Sequence, residues 1–258
     1  MKVDVFLTPA GIDEHHLRDR IVVIIDVLRA STSIVMALQN GAKEVIPVEE
    51  VEKALKIASS LAKGQALLCG ERNGQKIEGF NLDNSPEAYD EDTVKGKSLV
   101  YCSTNGSKTL SLTQSAVIKD LLVAAFTNIT VVKEYIVKPE NAENHLAIIC
   151  AGKSSRFSLE DTICAGLLID KLMADKKNQT GYILSDTARA AKILYEQFRG
   201  NELGALKESE HGRFLISLGY ERDIEVCAKI DSSQALPQLE NGVLKLSKFE
   251  TKKYKRVS

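Results

Sequence analysis

The run Asp26-Val27-Leu28-Arg29-Ala30-Ser31-Thr32 places charges of both signs and two hydroxyls directly after the apolar stretch Ile21–Ile25. A carboxylate at the end of a buried strand is costly unless it binds a cation or accepts several hydrogen bonds. The amides of a helix N-terminus, the helix dipole and a guanidinium together can cradle a phosphate. Asp26 and Arg29 are therefore the catalytic candidates, with Ser31 and Thr32 as substrate-binding hydroxyls. The plainer alternative is an aspartate capping its own turn and a routine hydroxyl N-cap.

Gly70-Glu71-Arg72-Asn73-Gly74 follows another apolar run, Ala66–Cys69. Glu71 is suited to a hard cation and Arg72 to forking onto an oxyanion, while the alternative is a turn with a surface ion pair. Thr104-Asn105-Gly106-Ser107 reads either as a hydroxyl-rich anion loop or as a β-hairpin tip, since Asn-Gly is a strong hairpin signal. Ser158-Leu159-Glu160-Asp161 opens a helix. Glu160 and Asp161 are magnesium ligands on one reading, and Ser158 with Asp161 is a capping box on the other. Asn84 and Ser85 join the substrate-binding set, the plainer alternative being Ser85 as an N-cap with Pro86 at the first helical position; His211 joins it too and could also donate a proton. His15-His16 reads as a solvated helix face.

Two other chemistries can be weighed on the same residues. Cys150 and Arg156 have the bare spacing of a cysteine-nucleophile phosphatase loop, although Ile149 stands where such loops carry histidine. Asp26 also invites comparison with the haloacid-dehalogenase phosphatases, but Leu28 occupies the position of their second aspartate. Gly152-Lys153-Ser154 ends like a nucleotide P-loop that would need a glycine at Ala147. A non-catalytic anion-binding protein is the alternative from outside enzymology.

These candidates hang on alternating elements. Ile21–Ile25, Glu44–Val48, Ala66–Cys69, Ser98–Cys102, Leu121–Ala124 and Leu146–Cys150 read as strands. Ser31 to Asn40, Val51–Ala62, Asp161–Met173 and Thr187–Arg199 read as helices. The expected fold is a single α/β domain over residues 1–258 with a mainly parallel or mixed sheet. Strand, turn and helix recur at similar spacing over about 20–75 and 97–160, which suggests an internal duplication whose equivalent turns meet at one cleft. The lysine-rich tail from Lys245 reads as a solvated edge.

Composition narrows the partners. With 34 basic against 35 acidic residues, the chain has no excess of positive charge for nucleic acid or an anionic membrane. An acidic small molecule must instead be met by local design. The five cysteines are spread without CxxC spacing and read as core residues of a reducing compartment. Asp4, standing where a signal peptide would need an apolar run, and the shortness of the apolar stretches lead to the expectation of a cytoplasmic protein. A homodimer is left open.

Taken in order along the chain, these segments resemble the 2-phosphosulfolactate phosphatase family. The resemblance is carried by Asp26–Thr32, Asn40-Gly41-Ala42-Lys43-Glu44-Val45, Gly70–Gly74, Gly79-Phe80, Asn84-Ser85-Pro86, Thr104–Ser107, Ala151-Gly152, Phe157–Asp161, Cys164-Ala165-Gly166 and His211-Gly212-Arg213. Ser107 stands where the family usually has threonine, and Lys153-Ser154-Ser155-Arg156 is more basic than the family pattern. The resemblance implies a three-layer α/β/α fold and magnesium-dependent hydrolysis of 2-phospho-3-sulfolactate to 3-sulfolactate and phosphate, a step toward coenzyme M or sulfolactate. Such a substrate carries phosphate, carboxylate and sulfonate, so separate anion sites and a metal held by Asp26, Glu71, Glu160 and Asp161 make physical sense.

Overall fold

Ile21–Ile25 lacks polar alternation because both faces of its strand are covered, as central strands of α/β sheets require. In the computed structural model, which describes residues 1–103, 116–154, 156–174 and 181–249, this strand lies within an 11-stranded sheet. The strands are β1 (Lys2–Phe6), β2 (Arg20–Ile25), β3 (Glu44–Val48), β4 (Ala66–Arg72), β5 (Gln75–Lys76), β6 (Ser98–Cys102), β7 (Asp120–Ala124), β8 (His145–Cys150), β9 (Ile183–Leu184), β10 (Pro237–Glu240) and β11 (Val243–Leu246). Their spatial order is β5-β4-β6-β3-β11-β10-β7-β2-β8-β1-β9. β2 pairs in parallel with both β7 and β8, and β6 pairs in parallel with both β3 and β4. The β10–β11 hairpin joins these two parallel blocks. It is antiparallel to β7 on one side and β3 on the other, so the blocks run in opposite senses.

Helices cover both faces, giving the expected α/β/α layers with a mixed sheet. α1 (Glu14–Leu17) and α2 (Ala30–Gln39) contribute Leu17, Ile34 and Leu38 to one face, against Val22, Ile24, Leu121 and Ile149. On the opposite face α5 (Ile129–Ile136), α6 (Leu159–Met173) and α7 (Asp186–Phe198) pack on Val23, Ile25, Leu122 and Ile148. α3 (Val51–Ser60) covers the β3–β6 end through Ala54, Val48 and Val100, and α4 (Glu91–Val94) is a single turn leading into β6. Three short helices, α8 (Glu202–Glu208), α9 (Glu210–Ser217) and α10 (Glu221–Cys227), bring the chain back over the end of β2. Among the described residues no helix is long and apolar enough to cross a membrane.

Two expectations are corrected here. The tail from Lys245 is not a solvated edge over its first residues: Lys245 belongs to β11 inside the sheet, and Leu244 is fully buried opposite Val45. Asn241 and Gly242, both at positive φ (52° and 82°), make the two-residue turn that folds β11 onto β10. The strand expected over Ala66–Cys69 likewise does not stop at Cys69. β4 continues to Arg72 and turns at Asn73-Gly74 (φ 53° and 76°) into β5.

Candidate active site

The turn after β2 is held by its own side chains. Ser31 Oγ accepts from the Asp26 amide at 2.9 Å, and the Ser31 amide donates to the Asp26 carbonyl at 2.8 Å. Thr32 Oγ1 donates to the Val27 carbonyl at 2.9 Å. Both hydroxyls predicted to meet substrate are thus buried inside the turn. The Asp26 carboxylate accepts from the Ala30 amide at 3.4 Å and borders a cavity of about 270 Å³. The Leu28–Arg29 peptide bond within this turn is cis.

Arg29 is fixed on three sides. Its Nη1 donates to Asp223 Oδ2 at 2.6 Å, its Nη2 donates to the Gly74 carbonyl at 2.8 Å, and its guanidinium lies 4.2 Å from the Tyr220 ring centroid. Asp223, on α10, also accepts from Ser85 Oγ at 2.6 Å, while Tyr220 Oη donates to Asp83 at 3.1 Å. Burial alone would lower the Arg29 pKa, yet the hydrogen bond and charge of Asp223 carry it above its ordinary value. Ser85 therefore acts by holding the partner of Arg29.

The β4–β5 hairpin contributes Glu71, whose Oε2 accepts from the Gly74 amide at 2.9 Å. Arg72, the next residue, turns the other way: Nη2 donates to the Glu49 carbonyl at 2.7 Å and Nη1 to the Glu71 carbonyl at 3.0 Å. Consecutive strand residues point to opposite faces, so only one of the pair can enter the cavity.

From β8 the chain turns at Gly152 (φ 67°), where an added Cβ would lie 2.1 Å from the Arg156 carbonyl oxygen. Asp161, in the first turn of α6, joins this turn to the one after β2. Its Oδ1 accepts from the Val27 amide at 2.8 Å and its Oδ2 from the Gly152 amide at 3.0 Å. Ser158 caps α6 by accepting from the Asp161 amide at 3.3 Å, but the Asp161 carboxylate closes no capping box. Glu160, one residue earlier and about 100° around the helix, lies 3.5 Å from His211 Nδ1.

Asp26, Arg29, Glu71, Asn84 and His211 all border the cavity. Ser103, at the end of β6, borders it as well, so the turns after β2 and β6 open into the same space. Asn84 is buried, and its Oδ1 has no hydrogen-bond partner among the described residues. Burial, reinforced by the charges of Glu71 and Glu160 and opposed by His211, pushes the Asp26 carboxyl up to about 7. Burial also raises Asp161 well above the usual carboxylate range, with Glu160 and Asp26 adding to it. Glu160 goes the other way: burial opposes its ionisation, but His211 holds it below its ordinary value. Among the described residues no group of three or more His, Cys, Asp or Glu side chains is placed to hold a metal by itself.

The family described as 2-phosphosulpholactate phosphatase matches residues 6–242, which take in every element named above except most of β1 and the last strand. A protein of Caldanaerobacter subterraneus named probable 2-phosphosulfolactate phosphatase is 38% identical over 247 residues, spanning 96% of this chain and 99% of its own. A Thermotoga maritima protein of the same name is 40% identical over 247 residues, with the same coverage of both chains. A third so named, from Clostridium tetani, is 37% identical over 245 residues, covering 95% of this chain and 100% of its own. The chain belongs to the 2-phosphosulpholactate phosphatase family.

For this phosphatase-family chain the structure sorts the expected residues. Asp26, Arg29, Glu71, Asn84 and His211 converge on the cavity. Ser31, Thr32 and Ser85 brace it from behind, and Arg72 faces away from it. Glu160 and Asp161 stand at its rear with partners of their own. Thr104, Asn105, Gly106 and Ser107 lie outside the described residues. Sequence reasoning missed Asp223, which sits in a stretch, Glu221–Cys227, patterned like any solvated helix, and it set Lys153 aside as part of a failed nucleotide motif.

The cysteine-nucleophile alternative does not survive the geometry. Cys150 is fully buried in β8, and burial with the charge of Asp161 raises its thiol well above the ordinary range, where no useful thiolate exists. Arg156 is exposed and borders a different cavity. Cys150→Ala should keep phosphate release within about twofold of the natural protein, as expected away from the reacting atoms. Native protein should also resist inactivation by iodoacetamide. Rapid loss of activity on alkylation of Cys150 would restore the cysteine mechanism.

Proposed function

We propose that this chain is a phosphoric monoester hydrolase that converts 2-phosphosulfolactate to 3-sulfolactate and inorganic phosphate with magnesium as cofactor. The observation that carries this reading is a single cavity in which the buried Asp26 carboxylate, a fixed Arg29 and Glu71 come together, in a chain of this family. Burial raises the Asp26 carboxyl and the charges of Glu71 and Glu160 add to that rise; a divalent cation bound to the carboxylate would offset both. Magnesium takes one or two protein carboxylates and completes its shell with water and substrate oxygens, so a three-ligand cage is not required. Asp26 and Glu71 are the residues suited to hold it. Glu160 is engaged by His211, and both Asp161 oxygens are engaged by amides. Bound there, the metal would supply Lewis acidity toward the phosphoryl oxygens.

The protein's own groups account for the rest. Arg29 cannot swing away from Asp223 and Gly74, so it presents a fixed positive charge to the phosphoryl group. Asp26 orients the attacking water, and the open acceptor of Asn84 can take a second O–H from it. His211, steadied by Glu160, is placed to donate a proton to the departing C2 oxygen. A cytoplasmic step toward coenzyme M or sulfolactate is the setting this reading implies, with a small acidic metabolite as partner and no role for nucleic acid or membrane.

Phosphate release across a panel of acidic phosphoesters, with EDTA and with added magnesium, tests the proposal. Phosphosulfolactate should give the highest kcat/KM, with activity lost in EDTA and restored by magnesium. No release from phosphosulfolactate would refute the substrate, and full activity in metal-free buffer would refute the cofactor.

A further inference from the structure

A substrate with a phosphate at C2 and a sulfonate at C3 needs a second anion receptor within two carbons of the first. Most basic side chains near the cavity are already engaged. Arg29 gives its two terminal nitrogens to Asp223 and Gly74, Arg72 points at the carbonyls of Glu49 and Glu71, and His211 is turned onto Glu160. Lys153 is different. It borders the cavity with Asp26 and also a second one of about 250 Å³, so it stands at the seam between them, beside His211. Its ammonium lies 4.3 Å from the Phe214 ring centroid and 3.7 Å from Glu210, whose side chain is 77% exposed. Neither contact is a close, directed hydrogen bond, and Glu210 is free to yield to a stronger acceptor.

The backbone that carries Lys153 is fixed. The Lys153 amide donates to the Arg156 carbonyl at 3.1 Å, and the Arg156 amide donates back at 3.0 Å. Asp161 then ties the neighbouring Gly152 amide to the turn that carries Asp26. The backbone of Lys153 is therefore fixed beside the turn that carries Asp26, and its flexible stem carries the ammonium to the seam of the two cavities. Its compact charge and three donors suit a tetrahedral sulfonate, which presents three equivalent oxygens. Arg156, lining the second cavity, adds positive charge beyond it.

We infer that Lys153 receives the sulfonate of the substrate and is the residue that selects sulfonated phosphoesters over plain ones. This rests on the proposed function and deepens it. The test compares the natural protein, Lys153→Gln and Lys153→Arg on 2-phosphosulfolactate and on 2-phospholactate, the same ester with hydrogen in place of sulfonate. The natural protein should prefer the sulfonated ester. Lys153→Gln should lose about thirtyfold more kcat/KM on it than on phospholactate, the scale of one charge-assisted hydrogen bond, with most of the loss in KM. Lys153→Arg should recover much of that preference. An unaltered melting temperature in both variants excludes a folding defect as the cause. Equal losses on both esters, or a natural protein that hydrolyses them equally well, would overturn the assignment and leave the phosphatase reading standing. A natural protein that hydrolyses neither would bring down that reading and the assignment with it.

Discussion

Asp26→Asn is expected to abolish phosphate release, by about 10³-fold or more, and to raise the melting temperature of the metal-free protein. The two effects have one cause. The carboxylate sits behind five apolar residues that are almost entirely buried, with Glu71 and Glu160 adding negative charge, and its pKa rises from 3.8 to about 7. Below pH 3.8 both the folded and unfolded chains carry a protonated Asp26, and it costs the fold nothing in ionisation. Between 3.8 and about 7 the unfolded chain has released the proton and the folded chain keeps it, so stability falls as pH rises. Above that window the cost is complete. The asparagine variant removes it, and in EDTA at pH 8 should melt about 4 °C or more above the natural protein, with the gap closing toward pH 4. Magnesium should narrow the gap by stabilising only the natural protein. A variant that turns over normally would remove Asp26 from the site, and one that melts lower at pH 8 would show that the carboxylate supports the fold.

How much of this site was legible before the structure depended on where each residue fell in its element. Glu44–Val48 and Ser98–Cys102 have the boundaries read from their apolar runs, because a buried strand needs no finer signal. Asp26 was legible because a charge after such a run has few cheap explanations. The apolar run ends the strand at Cys69, which leaves Glu71 and Arg72 without a defined direction. Once β4 is seen to run through both, strand alternation sends one into the cavity and the other to the Glu49 carbonyl. The hairpin rule was applied to Asn105-Gly106, outside the described residues, while the Asn-Gly pairs at 73–74 and 241–242 form the observed hairpins. Asp223 was out of reach of sequence reasoning. Its role exists only because α10 returns over Arg29, 194 residues away along the chain.

The sheet order bears on the recurrence of strand, turn and helix along the sequence. Either side of the central hairpin the arrangement is mirrored: β6 sits between β3 and β4, as β2 sits between β7 and β8. We propose a duplication of about 20–75 into 97–160 in which each half has inserted its first strand between the other two of its twin. This accounts for a cavity bordered by the ends of both inserted strands, at Asp26 and at Ser103. It also explains why residues from distant segments share one site without a linker between domains.

The second large effect is expected at Asp223, a residue without chemistry of its own. Arg29 and Asp223 meet at 2.6 Å with side chains only 2% and 4% exposed, so neither has water to fall back on. Burial raises the Asp223 carboxyl above the usual range, and the donors from Ser85 and Arg29 act against that rise. Truncation to alanine leaves a buried guanidinium with the Gly74 carbonyl and the Tyr220 face, and strands the Ser85 hydroxyl. Breaking one side of such a pair costs about 3–5 kcal/mol, because the remaining charge is buried without compensation. Asp223→Ala should therefore lower the urea midpoint sharply and reduce phosphate release as Arg29 loses its fixed position. The double variant Arg29→Met/Asp223→Leu separates these consequences: it removes both charges at similar volume and should recover most of the lost stability, yet stay inactive because the cavity no longer presents a guanidinium. A single variant with an unmoved midpoint would show that the pair does not anchor α10. A double variant with restored activity would take Arg29 out of phosphate binding.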